Sequence, residues 1–145
     1  MSAKEEVREA AGRLIDAFAR HDAAAYFASF APDATFIFHN VDHVLESRHD
    51  YEELWSQWEA EGFHVLTCTS IGGSVRMRGD DVGVFVHQVR TTLADAEGSL
   101  DTGERETIVF QRIDGTWLGV HEHLSVDPTF ETTSVGNVRS ETDAQ

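Results

Sequence analysis

Cysteine is nearly absent from this 145-residue chain: Cys68 stands alone, so no intrachain disulfide can form and folding must rest on buried apolar surface. A single domain of this length buries roughly two-thirds of its unfolded surface without such staples. Cys68 falls inside a strand pattern and reads as a small buried hydrophobe in a reducing compartment. Lysine is as scarce. Lys4 is the one lysine among 11 basic residues, set against 26 acidic ones for a net charge of −15. Such a surface repels phosphate backbones and anionic lipid, which excludes nucleic acid and membranes as expected partners and reads as a solubility device or an adaptation to a salty cytoplasm. Long hydrophobic runs are missing too. No stretch approaches the ~20 apolar residues of a membrane span, and the N-terminal MSAKEEVREAAG is charged and helix-like, unlike a signal peptide. A soluble, cytoplasmic protein is expected.

What is present is periodic. Val7, Ala10, Ala11, Leu14, Ile15 and Phe18 recur at helical spacing and predict an amphipathic helix over 3–20. A short helix over 23–30 presents Tyr26, Phe27 and Phe30 before Pro32-Asp33 stops it, and a strand follows over 34–39. Glu46 to Arg48 leads into a third helix, with Leu54, Trp55 and Trp58 clustered and Gly62 as its break. Long strands are predicted over 63–78, 82–94, 103–113 and 116–125, with a bend or bulge at Gly72-Gly73 and an open loop over 95–102. The order predicts an α+β fold, a curved antiparallel sheet wrapped around three helices from the N-terminal half. Residues 1–128 are expected to form one domain and 129–145, poor in periodicity, an acidic flexible tail.

The densest stretch is ERETIVFQRIDGTWLGVHEHLS, residues 104–125. Asp114-Gly115 is a tight-turn dipeptide, so Ile113 should face Thr116, and a regular ladder then sets Phe110 opposite Gly119, Ile108 opposite His121 and Glu106 opposite His123. Alternation places Glu106, His121 and His123 on one face, the two histidine Cα atoms about 6.5 Å apart. A carboxylate beside an imidazole fixes its tautomer and raises its basicity, so these three are the catalytic candidates for acid–base chemistry. Gly115, five residues, then His121-x-His123 reproduces the start of the cupin metal signature, but the further ligands do not follow; neither metal nor cofactor is expected. His21, His49, His64 and His87 have no partner legible in the sequence and default to surface or strand-edge positions.

HDAAAYFASFAPDATF, YEELW, GSVRMRGDDVGVFVHQVRTTL and the terminal W-x-x-V-H-x-H-x-S resemble, in order and spacing, the nuclear transport factor 2-like superfamily, also called SnoaL-like or cystatin-like. They are most similar to the association domain of calcium/calmodulin-dependent protein kinase II and its small bacterial relatives, over about residues 5–126. The resemblance implies a cone with an apolar pocket and a homodimer formed through the outer sheet face. It also implies two functions. One is a small-molecule-binding domain, with or without isomerase-, cyclase- or dehydratase-like chemistry; the other is a non-catalytic assembly module. The ketosteroid isomerase residues are absent, since Phe38 falls where the aspartate base belongs and Leu14 where the tyrosine belongs, while His39 points to the other face. The arginines of the association-domain pocket fall on Gln88 and Ile108, with Arg90 the nearest substitute.

The ligand-binding candidates for a small apolar or aromatic molecule are therefore Tyr26, Trp55, Trp58, Gln88 and Arg90. The two likenesses disagree on the hairpin. The association-domain match turns the Glu106, Ile108 and His121 row inward and is preferred; the isomerase match turns Val120, Glu122 and Leu124 inward, which would make Glu122 a pocket carboxylate of raised pKa.

Overall fold

The computed structural model describes residues 1–135. Helix α1, Ala3–Ala19, buries Val7, Ala10, Ala11, Leu14 and Ala17 along one stripe. Its start is fixed by a capping box, in which the Ser2 hydroxyl accepts from the Glu5 amide at 3.1 Å and the Glu5 carboxylate accepts from the Ser2 amide at 2.8 Å. Helix α2, Ala23–Ala28, is capped by Asp22, and α3, Arg48–Ala60, by Ser47. Strand β1, Phe30–Phe38, starts four residues earlier than the sequence predicts, because α2 stops at Ala28 and Phe30 is already fully buried.

Four long strands complete the sheet: β2, His64–Arg78, β3, Val82–Asp95, β4, Gly98–Ile113, and β5, Thr116–Val126. The order is β1-β5-β4-β3-β2, antiparallel except for the parallel β1–β5 pair. This is the expected α+β cone. The segment read as an open loop over 95–102 is instead a tight hairpin with Asp95 facing Gly98, and β2 carries its bulge between Ile71 and Ser74 at the predicted glycines. Within 129–135, Thr133–Val135 form a short strand β6 that continues the β5 edge of β4; the rest of the expected tail, 136–145, lies outside the described residues.

The inner sheet face packs on the helices. Phe30, Phe36, Ile108, Phe110, Trp55 and Val7 are all but inaccessible to water, and burying such a side chain contributes about 1.5–3 kcal/mol. Trp117 joins β5 to α1 through an indole N–H that donates to Glu6 at 2.9 Å. The far end of the cone, under α3 and beside the β3–β4 turn, stays open.

Candidate functional site

The site depends on one irregularity in β5. The regular ladder predicted from Asp114-Gly115 holds as far as Phe110 opposite Gly119 and then slips, so that Val109 faces His121 and Val120 is the extra residue of a β-bulge. Beside it, Gly119 lets Phe30 pack close, since a Cβ there would lie 2.8 Å from the Phe30 ring, and its amide donates to the Ser29 carbonyl at 2.9 Å. Beyond the bulge Glu106 faces Leu124, Ile108 faces Glu122 and Thr107 faces His123. The expected Glu106–His121–His123 cluster does not exist. His121 and His123 lie on the outer face beside Val109 and Thr107, where the Thr35 hydroxyl meets His121 Nδ1 at 2.8 Å. Burial, and then the charge of His123, hold His121 below the usual imidazole range, opposite to the raised basicity expected of it.

Glu122 is the inward carboxyl instead, as the isomerase match has it, while Glu106 and Ile108 also face inward, as the association-domain match has it. Each likeness is right on its own strand, the association-domain match on β4 and the isomerase match on β5 beyond the bulge. Glu106 and Glu122 become diagonal neighbours on the inner face and hydrogen-bond to each other. Around them runs a continuous chain of polar contacts. The Tyr51 and Tyr26 hydroxyls are 2.9 Å apart, Tyr26 donates to Glu122 Oε1 at 3.3 Å, His87 Nε2 meets Glu106 Oε1 at 2.6 Å, and His87 Nδ1 meets the Ser70 hydroxyl at 2.6 Å. His87 is thus a buried, doubly bonded residue and no surface histidine. A neutral ring satisfies both ends if Nε2–H donates to the carboxylate and Ser70 donates to Nδ1.

The electrostatics divide the carboxyl pair. Burial, and then repulsion from Glu106, push Glu122 well above the ordinary carboxylate range, which favours its protonated form. Burial raises Glu106 as well, but the hydrogen bonds from Glu122 and His87 outweigh it and leave Glu106 below its ordinary value, ionised. The opposite shifts favour one proton for the pair, held more tightly by Glu122 than by Glu106. Burial first, then the nearby Glu122 charge, raise Tyr26 and Tyr51 well above ordinary phenols, so both remain proton donors. Glu104, two residues along β4, is raised by burial and bonded to His39 Nε2 at 2.6 Å.

These groups form the floor of a cavity of about 490 Å³. Its walls come from Leu14, Ile15 and Phe18 of α1, Tyr51, Trp55 and Trp58 of α3, Phe63, and Val89 and Leu93 of β3. Tyr26, Trp55 and Trp58 line it, as the aromatic clustering predicts; Phe38 and Leu14 also line it, so the positions of the missing isomerase groups are inward but apolar. Gln88 and Arg90 do not line it. They sit between the inward residues His87, Val89 and Thr91, so alternation turns them outward, where Arg90 pairs with buried Asp127 at 3.1 Å and stacks 4.6 Å above Phe130. Cys68 lines the cavity with a thiol that burial pushes up to about 11. No group of three or more His, Cys, Asp or Glu among the described residues is disposed to hold a metal ion.

A cone of mixed sheet closed by three helices, with an apolar chamber over inward polar groups, defines the nuclear transport factor 2-like class. Within it, residues 7–128 match the SnoaL-like domain model, and the chain belongs to that family. Similar solved structures include the hub homology domain of calcium/calmodulin-dependent protein kinase II from Chlamydomonas reinhardtii, 27% identical, TM-score 0.69, covering 88% of this chain and 99% of that one. A putative association domain of the same kinase type from Xanthomonas campestris is 24% identical, TM-score 0.72, over 86% and 88%. A ketosteroid isomerase-like protein from Erwinia carotovora atroseptica is 14% identical, TM-score 0.75, over 85% and 95%. No curated protein matches the chain. No helix among the described residues is long and apolar enough to cross a membrane.

Proposed function

We propose that this SnoaL-like domain binds a small, largely aromatic or alicyclic molecule in its cone and moves protons on it without a cofactor. In this reading Glu106 is the base, Glu122 the acid and Tyr26 the hydroxyl that orients Glu122. The observation that carries it is the carboxyl–carboxylate pair at the floor of an aromatic-walled chamber. A base and an acid held side by side and largely buried beneath aromatic walls suit proton abstraction at one atom and delivery at another. Native and denaturing mass spectra of freshly purified protein test the binding: an organic mass retained natively and released on denaturation is expected. A chain that carries no adduct and gives no heat when titrated with indole or benzyl alcohol at millimolar concentration overturns it. Once a substrate is in hand, Glu106→Gln should fail to turn it over.

A second reading, assembly, is favoured by the outer face. Ile71 and Val86 there are 41% and 44% exposed, beside half-buried Val84 and Val109. A homodimer through this surface would cover them and place His121 and His123 at the joint, and the association-domain neighbours point the same way. Val86→Glu should then halve the mass measured by light scattering, and a monomeric wild-type chain would eliminate this reading.

A further inference from the structure

The chamber has a one-sided charge. From mouth to floor it is lined by Glu61, Asp95, Glu97, Glu104, Glu106 and Glu122, and by no lysine or arginine among the described residues. The nearby guanidinium groups are committed elsewhere, Arg90 to Asp127 and Arg48 to Glu52 and the Phe27 and Phe30 carbonyls. The basic groups that meet the floor are imidazoles alone, His87 on Glu106 and His39 on Glu104. The rings of Phe18, Trp55, Trp58 and Phe63 line the same chamber, and a cation that meets a ring face is attracted by its negative π density.

We infer that the cone takes an organic cation, an ammonium or substituted ammonium carried on an aromatic or alicyclic body, with the charge seated at Glu104 and Glu106 and the body against Trp55 and Trp58. This rests on the reading that the chamber binds a small molecule and names its chemical class. The physical argument has two parts. Ionised Glu106, buried with only an imidazole and its carboxyl partner, gains from a positive ligand the countercharge that the protein itself withholds. A carboxylate or phosphate ligand would meet six acidic side chains and no fixed cation, and would be rejected. Tryptophan and phenylalanine rings complete the setting in which ammonium groups are held by cation–π attraction once desolvated.

Two matched probe sets of different size decide the matter by calorimetry on the full chain: tryptamine, tryptophol and indole-3-acetate; and benzylamine, benzyl alcohol and benzoate. In at least one set the amine should bind tenfold or more tighter than the alcohol, with the acid weakest. Glu104→Gln should cut the amine preference at least fivefold, with Glu106→Gln as a second variant if the first does not fold. Alcohols that bind as tightly as the amines overturn the cation inference while the small-molecule reading stands. Silence from all six probes overturns the cation inference, and the small-molecule reading falls with it when the native mass spectrum also shows no adduct. The wild-type amine-to-alcohol ratio is decisive even if neither variant folds.

Discussion

Glu122 and Glu106 show how two residues of one type acquire opposite states. Glu122 is raised, so in the folded protein it binds its proton more tightly than in the unfolded chain. Its contribution to stability is complete below the unfolded carboxyl range, about pH 4.3, and is lost as pH rises toward its folded value, at up to about 1.4 kcal/mol per pH unit. Glu106 is depressed and works in the other direction, contributing above that range and losing its contribution as pH falls through its folded value. Urea midpoints followed from pH 5 to 9 should therefore decline in the wild type and stay nearly flat in Glu122→Gln, whose amide replaces the neutral acid and still donates to Glu106. A steeper decline in the variant would contradict the assignment of the proton to Glu122. Cys68 probes the same environment independently. With its thiol at about 11, its reaction with Ellman's reagent at pH 8 should run on the order of a hundredfold slower than in urea, and a chamber-filling ligand should slow it further.

At the scale of the element, β5 is decided at Gly119. Gly119→Ala would drive a methyl to 2.8 Å from the Phe30 ring, and since Phe30 is itself fully buried, the displacement should cost about 1–3 kcal/mol, read as a lowered urea midpoint. The helices and strand ends are legible because they follow from local periodicity and turn chemistry: the strand expected over 82–94 runs to Asp95, and Asp114-Gly115 does turn between Ile113 and Thr116. The candidate site is half legible. The aromatic wall of Tyr26, Trp55 and Trp58 follows from helix spacing, whereas the polar floor depends on two registers that no local pattern states. The first hides in Asp95-Ala96-Glu97-Gly98, which lacks the Asn-Gly or Asp-Gly mark of a tight turn; a hairpin placed there sets His87 opposite Glu106. The second is the bulge, whose one sequence sign is a glycine inside a strand.

The whole molecule carries a charge of −15, and six of its 26 acidic residues line the chamber. Self-repulsion of this size opposes the compact state and is relieved by screening, so the melting temperature should rise steadily between 10 mM and 500 mM NaCl, and more than for a protein near neutrality. Failure to rise would mean that the acidic groups are already compensated in solution, for example by bound cations.

The extra residue in β5 has a consequence for how this chain is compared with its kin. Deleting Val120 would leave every later side chain facing as it does now, because Val109 would still meet His121 in an unbroken ladder. A relative without the bulge but with the same number of residues would present the opposite parity in this strand, the two imidazoles inward and the Glu122 carboxyl outward, with no change of composition. Columns of an ungapped alignment across this point would then equate His121 and His123 with chamber residues and Glu122 with a surface one. Ancestry and geometry part company at that codon, so inheritance of a pocket residue in this family has to be traced with a gap opened after Gly119.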